Sequence, residues 1–277
     1  MITGNVEPTA VLEALRVVQD PDLGRDIVSL DFVKDVRVEG GEVSFVIELT
    51  TPACPVKDQM HDQAVAAVSA LDGVTGVKVS MTSNVRAVAS PEAGRAPIPG
   101  VKNIIAVGAG KGGVGKSTVA VNLALALSHC GGRVGMIDAD VYGPNIPLML
   151  GVHTQLETDG KKIVPAEKYG IPVVSMGFLT QDETPIIWRG PMLHGIVQQF
   201  FREVRWDELD YLVVDMPPGT GDVALSLSQT VPVSGAVVVT TPQTVSVADS
   251  RRAVAMYKKL NVPVLGLVEN MSHFVCP

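Results

Sequence analysis

The sequence predicts an α/β protein: a doubly wound, mainly parallel sheet carrying a phosphate-binding loop, preceded by a small α+β domain. Three observations predict it. Uniform apolar runs separated by helical segments fill residues 101–277. A segment rich in glycine and lysine follows the first of those runs, at 110–118. Residues 1–89 instead show alternating apolar positions and two helical stripes. At about 150 residues per domain, a chain of 277 residues accommodates two.

In the first domain, Val11, Leu15 and Val18 recur at helical spacing. Val36 and Val38 then alternate up to Gly40-Gly41, a two-residue hairpin signal, and Val43, Phe45, Ile47 and Leu49 form the returning strand. After Cys54-Pro55, Met60, Ala64, Val68 and Leu71 make a helical stripe, and Val77, Val79 and Met81 alternate again. The order is helix, hairpin, helix, strand. Residues 90–100 carry Pro91, Pro97 and Pro99 with no periodic pattern, which predicts a semi-extended linker.

From 101 onward, apolar runs at 104–107, 134–137, 173–176, 211–214, 236–239 and 264–268 read as strands covered on both faces. No internal repeat is visible. Residues 270–277 leave a strand and stop without a closing helix, so the P-loop domain is expected to be incomplete at its carboxyl end.

Composition narrows the function. Hydrophobic residues at 46%, charged residues at 18% and a mean hydropathy of +0.28 exclude a chain disordered by charge. A net charge of −7 and 4% aromatics argue against a basic groove or stacking surface for nucleic acid, so no nucleic-acid partner is expected. The longest apolar runs are too short to span a membrane, and the first residues lack the basic and apolar regions of a secretory leader. A cytoplasmic protein with no membrane partner is expected. Cys54, Cys130 and Cys276 lie far apart, which makes a disulfide framework improbable and leaves thiolate chemistry as their route to function.

The strongest signal is Gly110-Lys111-Gly112-Gly113-Val114-Gly115-Lys116-Ser117-Thr118, which satisfies G-x-x-x-x-G-K-[ST] between a strand and a helix. Its glycines allow several backbone N–H groups to aim at one point, and the helix beginning near Lys116 adds its positive end. Lys116 is expected to bridge the β and γ phosphates and Ser117 to ligate Mg²⁺. Lys111 adds a second cation inside the loop; it either has a phosphate of its own or gives diffuse attraction.

Asp138, Asp140 and Asp215 sit at the carboxyl ends of predicted strands, where ligands of open α/β sheets gather. Alone, each reads as well as a helix cap. Beside the loop, they suit Mg²⁺ and an attacking water in phosphoryl transfer. The guanine-selective Asn-Lys-x-Asp sequence is absent, so ATP is the expected nucleotide. Asn270, just past a strand, either hydrogen-bonds the base or is an ordinary turn residue. Cys54 precedes Pro55, a favoured first helical residue, and reads equally as an ionisable thiol at a helix start or as small packing. Cys130, before Gly131-Gly132, reads as inert packing.

With lysine at its second position, the loop resembles the deviant Walker A loop of the MinD/ParA/nitrogenase iron-protein class. More narrowly, Asp-Ala-Asp-Val-Tyr-Gly-Pro-Asn at 138–145, Trp-Arg-Gly-Pro-Met at 188–192, Asp-Met-Pro-Pro-Gly-Thr-Gly-Asp at 215–222, Thr-Thr-Pro-Gln at 240–243 and Glu-Asn-Met-Ser at 269–272 are similar to the Mrp family. That family comprises ATP-dependent iron-sulfur cluster carriers. The resemblance implies a nucleotide-sandwich homodimer in which Lys111 reaches the partner copy's nucleotide. It implies that Asp140 positions the hydrolytic water, that Asp138 and Asp215 serve the Mg²⁺ shell, and that Pro242, Gln243 and Asn270 face adenine. For 188–191 no physical role follows.

Asp20-Pro21-Asp22 and Thr50-Thr51-Pro52-Ala53-Cys54-Pro55 are similar to the small iron-sulfur assembly domain fused ahead of many Mrp proteins. Cys276-Pro277 matches the start of the family's Cys-Pro-x-Cys motif, which would supply a bridging [4Fe-4S] cluster from two subunits; the second cysteine is missing here. The implied activity is an ATPase that carries a cluster to apo iron-sulfur proteins, and this chain by itself is expected to hold a cluster weakly or not at all. Two other readings share the loop: a positioning or partitioning ATPase acting as a switched scaffold, and an electron-donating reductase.

Overall fold

The structure is a computed structural model. It describes residues 6–87, 96–140, 143–154, 156–160, 162–178, 190–219 and 230–276. The chain divides into two compact units, Met1–Val85 and Arg86–Pro277.

In the first unit, α1 (Pro8–Leu15) starts on a proline whose fixed φ suits the first turn, and it buries Val11 and Leu15. Val18 is buried as well, but from the loop after the helix, because the helix stops at Leu15. Strands β1 (Val33–Glu39) and β2 (Glu42–Leu49) form an antiparallel hairpin whose turn glycines, Gly40 and Gly41, have φ of 58° and 91°. A turn with positive φ at both positions matches the strand twist and suits glycine at each. Helix α2 (Lys57–Ser69) then crosses over to β3 (Gly76–Ser83), which pairs with β2 in parallel. Phe45, Ile47, Leu49, Met60, Ala64 and Val68 fill the core between sheet and helices.

The second unit is a seven-stranded sheet. Its strands are β4 (Val101–Ala109), β5 (Val134–Asp138), β6 (Ala166–Lys168), β7 (Ile171–Ser175), β8 (Leu209–Asp215), β9 (Gly235–Thr240) and β10 (Val264–Glu269). They are ordered β6-β7-β5-β8-β4-β9-β10, and all neighbours are parallel except β6 against β7. Helices α3 (Lys116–His129) and α4 (Ile146–Leu150) pack on one face; α5 (Gly190–Arg202) and α6 (Thr244–Lys259) pack on the other. The predicted doubly wound class therefore stands, and the predicted apolar runs fall on its strands.

Three local outcomes differ from the sequence reading. Strand β6 and a short hairpin, Glu157–Asp159 with Lys162–Val164, are not readable from the sequence, because strands of three residues are too short to carry a periodic signal. Met176 leaves the strand for a 3-10 turn, Met176–Phe178. Strand β10 reads as covered on both faces, yet Leu265 and Leu267 are 58% and 59% exposed: it lies at the sheet edge, with described neighbours covering one face only.

Strand β4 sits between β8 and β9, and the chain leaves it in one direction for β5 and is rejoined from the other by β9. The strand order reverses there. The loop that follows β4 is thus delivered to the crevice at the carboxyl edge, where such sheets bind ligands.

Candidate phosphate-binding site

The loop between β4 and α3 is bent by Gly113 and Gly115, at φ of 78° and 85°, angles that side-chain-bearing residues rarely adopt. Close approach fixes Gly110 as well, and Gly115 a second time over. A Cβ on Gly110 would overlap the backbone of Asp249 in α6, and a Cβ on Gly115 would overlap the Asn270 amide. Gly115 precedes α3 directly and its carbonyl accepts the Val119 N–H at 3.0 Å, so the free N–H groups of the first helical turn open towards the loop.

Lys111, Gly112, Gly113, Gly115, Lys116, Ser117 and Thr118 line a cavity of about 450 Å³, closed on its other side by Asp140, Asn145, Leu148, Met149 and Pro218. Hollows of about 440 Å³ beside Arg37 and Lys78 and about 370 Å³ beside Arg133 and Arg205 lack any glycine cradle, so chemistry rather than size singles out this one.

Lys116 is buried, and its ammonium donates to Asp215 Oδ1 at 2.5 Å and to Ser117 Oγ at 3.3 Å, with Asp140 Oδ2 at 3.5 Å. An ammonium taken out of water needs such partners, because an unpaired buried charge is costly. Asp215 is fully buried and its second oxygen, Oδ2, has no hydrogen-bond partner among the described residues. Burial pushes its carboxyl upward, the nearby Lys116 charge and hydrogen bonds from Lys116 and Ser117 pull it back, and Asp140 adds repulsion. Lys111 is half-buried on the rim and makes no ion pair among the described residues.

Asp138 behaves differently. It is fully buried, outside the cavity lining, and accepts from the Asp140 N–H at 3.2 Å, the Ile146 N–H at 3.2 Å and the Ser175 hydroxyl at 2.9 Å. Burial and the Asp215 charge push it up to about 7.

The structure therefore gathers Lys111, Lys116, Ser117, Thr118, Asp140 and Asp215 around one cavity edge. Pro242 and Gln243 are exposed at the start of α6, outside the cavity lining. The Asn270 amide donates to the Val114 carbonyl at 2.9 Å, and its backbone N–H to Thr240 at 2.8 Å, so it braces the loop from β10. Cys276 and Cys130 are exposed and Cys54 is half-buried. Trp188, Arg189, Tyr142 and the end of the 215–222 segment lie outside the described residues.

Sequence reasoning missed Ser175, Leu148 and Met149. For the last two a signal existed: Ile146 and Leu150, four apart, are buried on α4, which turns Leu148 and Met149 outward, 73% and 41% exposed. For Ser175 there was none, since its partner is set by strand register.

The cradle fits a polyphosphate and the orphaned Asp215 oxygen fits a cation beside it. Among the described residues no three acidic, histidine or cysteine side chains converge as a ready-made metal cage.

A doubly wound sheet with this loop at its reversal point and lysine, hydroxyl and carboxylate converging on it defines a P-loop NTPase. Residues 100–277 match the family described as NUBPL iron-transfer P-loop NTPase, and residues 8–81 match that described as iron-sulfur cluster assembly protein. The chain belongs to the NUBPL-type iron-transfer P-loop NTPase family, with an iron-sulfur assembly domain ahead of the NTPase.

It is 52% identical over 274 residues to the iron-sulfur cluster carrier protein of Synechocystis sp., covering 97% of this chain and 77% of that one. Against the Deinococcus radiodurans protein of the same name it is 49% identical over 270 residues, covering 97% and 76%. Among solved structures it resembles a nucleotide-binding protein from Archaeoglobus fulgidus in complex with ADP, at 39% identity and a TM-score of 0.57, covering 65% of this chain and 71% of that one.

Proposed function

We propose that this protein binds and hydrolyses ATP and carries an iron-sulfur cluster to apo iron-sulfur proteins, acting in the cytoplasm as a homodimer. The observation that carries the reading is the two-lysine phosphate loop facing buried Asp215, in a chain whose relatives are named cluster carriers.

In this reading Lys116 leaves Asp215 for the β and γ phosphates, which the N–H groups of residues 112–118 cradle. Asp215 and Ser117 turn to Mg²⁺, which would neutralise charge developing on the transferred phosphoryl group. Asp140, on the cavity rim beside Lys116, orients the attacking water. Lys111 has a short reach to its own cavity and is free to extend to the nucleotide of a second copy. Pro242 and Gln243, with Asn270 after release from Val114, border the adenine.

The cluster is cargo. Cys276 is exposed and offers one thiolate per copy, so a [4Fe-4S] cluster needs donors beyond it. ATP then acts by linkage: it favours capture or release only as far as it prefers one dimer arrangement.

Anaerobic reconstitution with iron and sulfide of a form of the chain extended past Pro277, followed by transfer to an apo acceptor with and without Mg-ATP, tests the reading. Nucleotide-dependent transfer is expected; failure of the acceptor to gain cluster under any nucleotide condition removes the carrier role and leaves a switched scaffold. The scaffold has little in its favour: α6 exposes Arg251, Arg252, Lys258 and Lys259, but Arg252 is paired with Asp249 at 2.9 Å and the chain is acidic overall.

A further inference from the structure

Asp138 and Ser175 stand one behind the other at the carboxyl edge of the sheet. Parallel pairing places Ser175 of β7 opposite Asp138 of β5, and Asp138 opposite Asp215 of β8. A serine at that strand end thus reaches the carboxylate without any sequence proximity. The Ser175 hydroxyl donates to Asp138 Oδ2 at 2.9 Å and accepts the Gly177 N–H at 2.9 Å, so both its roles are used.

The other bonds of Asp138 reach two points of one chain segment. Oδ1 accepts from Asp140 and Oδ2 from Ile146, the first residue of α4. One carboxylate therefore ties the backbone at Asp140 to the start of α4 at Ile146. Asp140 hangs from that tie with its carboxylate 3.5 Å from the Lys116 ammonium, and α4 puts Leu148 and Met149 into the cavity rim. Three of the roughly four lone-pair directions of a carboxylate are spent on these bonds.

We propose that Ser175 and Asp138 are positioning residues that act through Asp140: Ser175 orients the Asp138 carboxylate, which ties the Asp140 backbone to that of Ile146 and so fixes Asp140 against Lys116, and neither residue contacts nucleotide or metal. The proposal rests on the hydrolysis assigned above. It makes a residue from outside every phosphate-loop motif a determinant of the chemical step.

The test is Ser175→Ala and Ser175→Thr in the full chain. Loss of the hydroxyl is expected to lower kcat by about tenfold to a hundredfold, the scale of a misplaced catalytic group. ATP affinity by calorimetry, and the Mg²⁺ concentration giving half-maximal rate, are expected to stay within about twofold, since no ligand contact is lost. Ser175→Thr, which keeps the hydroxyl on a strand-compatible side chain, is expected to restore most of the rate.

An unchanged kcat in Ser175→Ala overturns the proposal, and so does a raised Mg²⁺ requirement, which would put Asp138 in the metal shell. Amide hydrogen exchange in the nucleotide-free protein supplies the second reading. Asp140 and Ile146 are expected to lose protection in Ser175→Ala while 134–137 keep theirs; equal protection in both proteins also sinks it. Were the native protein to hydrolyse nothing, the ATPase reading would fail while the exchange result still judged the tie.

Discussion

Lys116 and Asp215 neutralise one another, and that contact sets what substitutions there will do. Lys116→Ala strands the buried Asp215 charge as well as removing the phosphate contact; ATP affinity measured by calorimetry should fall by more than tenfold, about 1.4 kcal/mol or more. Lys111→Ala leaves no buried charge behind, because Lys111 is half-buried and pairs with nothing described. It should keep most of the binding and lose phosphate release, and equal hydrolysis would rule out a lysine that serves the partner copy. The carboxylates add a pH signature. Burial raises Asp138 from the ordinary carboxylate range to about 7, so its proton stabilises the folded state in full below that ordinary range and the stability is lost as pH rises through about 7. Without nucleotide, the thermal midpoint should fall between pH 5 and pH 8, and Asp138→Asn should flatten that fall. Loop residues were readable from the sequence because their spacing is local; Ser175 was not, because only strand register brings it to Asp138.

The elements explain which glycines matter. A Cβ at Gly110 would run into the Asp249 backbone, which cannot swing aside like a side-chain tip, whereas at Gly112 nothing lies within 4 Å and φ is not positive. Gly110→Ala should therefore destabilise by about 1–3 kcal/mol in chemical denaturation and weaken ATP binding, while Gly112→Ala should leave stability within about 0.5 kcal/mol. The motif pattern fixes glycine at 110 and leaves 112 open, and the packing of α6 on the loop supplies the physical reason. The strands themselves were legible as apolar runs. Their coverage was less so: 264–268 reads as buried, and its position at the sheet edge leaves Leu265 and Leu267 exposed.

The whole chain is two units with separate cores, one centred on Phe45, Ile47 and Met60 and the other on the seven-stranded sheet. The phosphate cavity belongs entirely to the second. Ligand binding stabilises only what it binds, by about 2.7 kcal/mol at a hundredfold excess over Kd. Both tryptophans, Trp188 and Trp206, lie in the second unit, so their fluorescence reports on it alone. Mg-ATP should raise the fluorescence-detected melting midpoint by several degrees and leave a separate transition of the first unit in place by calorimetry. A uniform shift of the entire heat-capacity trace would mean that the units unfold as one.

Sequence by itself determined the fold class, the phosphate loop and the identities of the strand-end acids, because these depend on residue type at short spacing and on the local preferences of glycine and of apolar runs. Tertiary structure alone decided what each acid does. Asp138, Asp140 and Asp215 are chemically alike, yet register and burial pair one with a serine and two backbone amides, hold one on the cavity rim, and set one against Lys116 and Ser117 with an orphaned second oxygen among the described residues. The physical reason is that a carboxylate's role is set by which donors reach it and how much water it loses, and both come from residues far away in the chain.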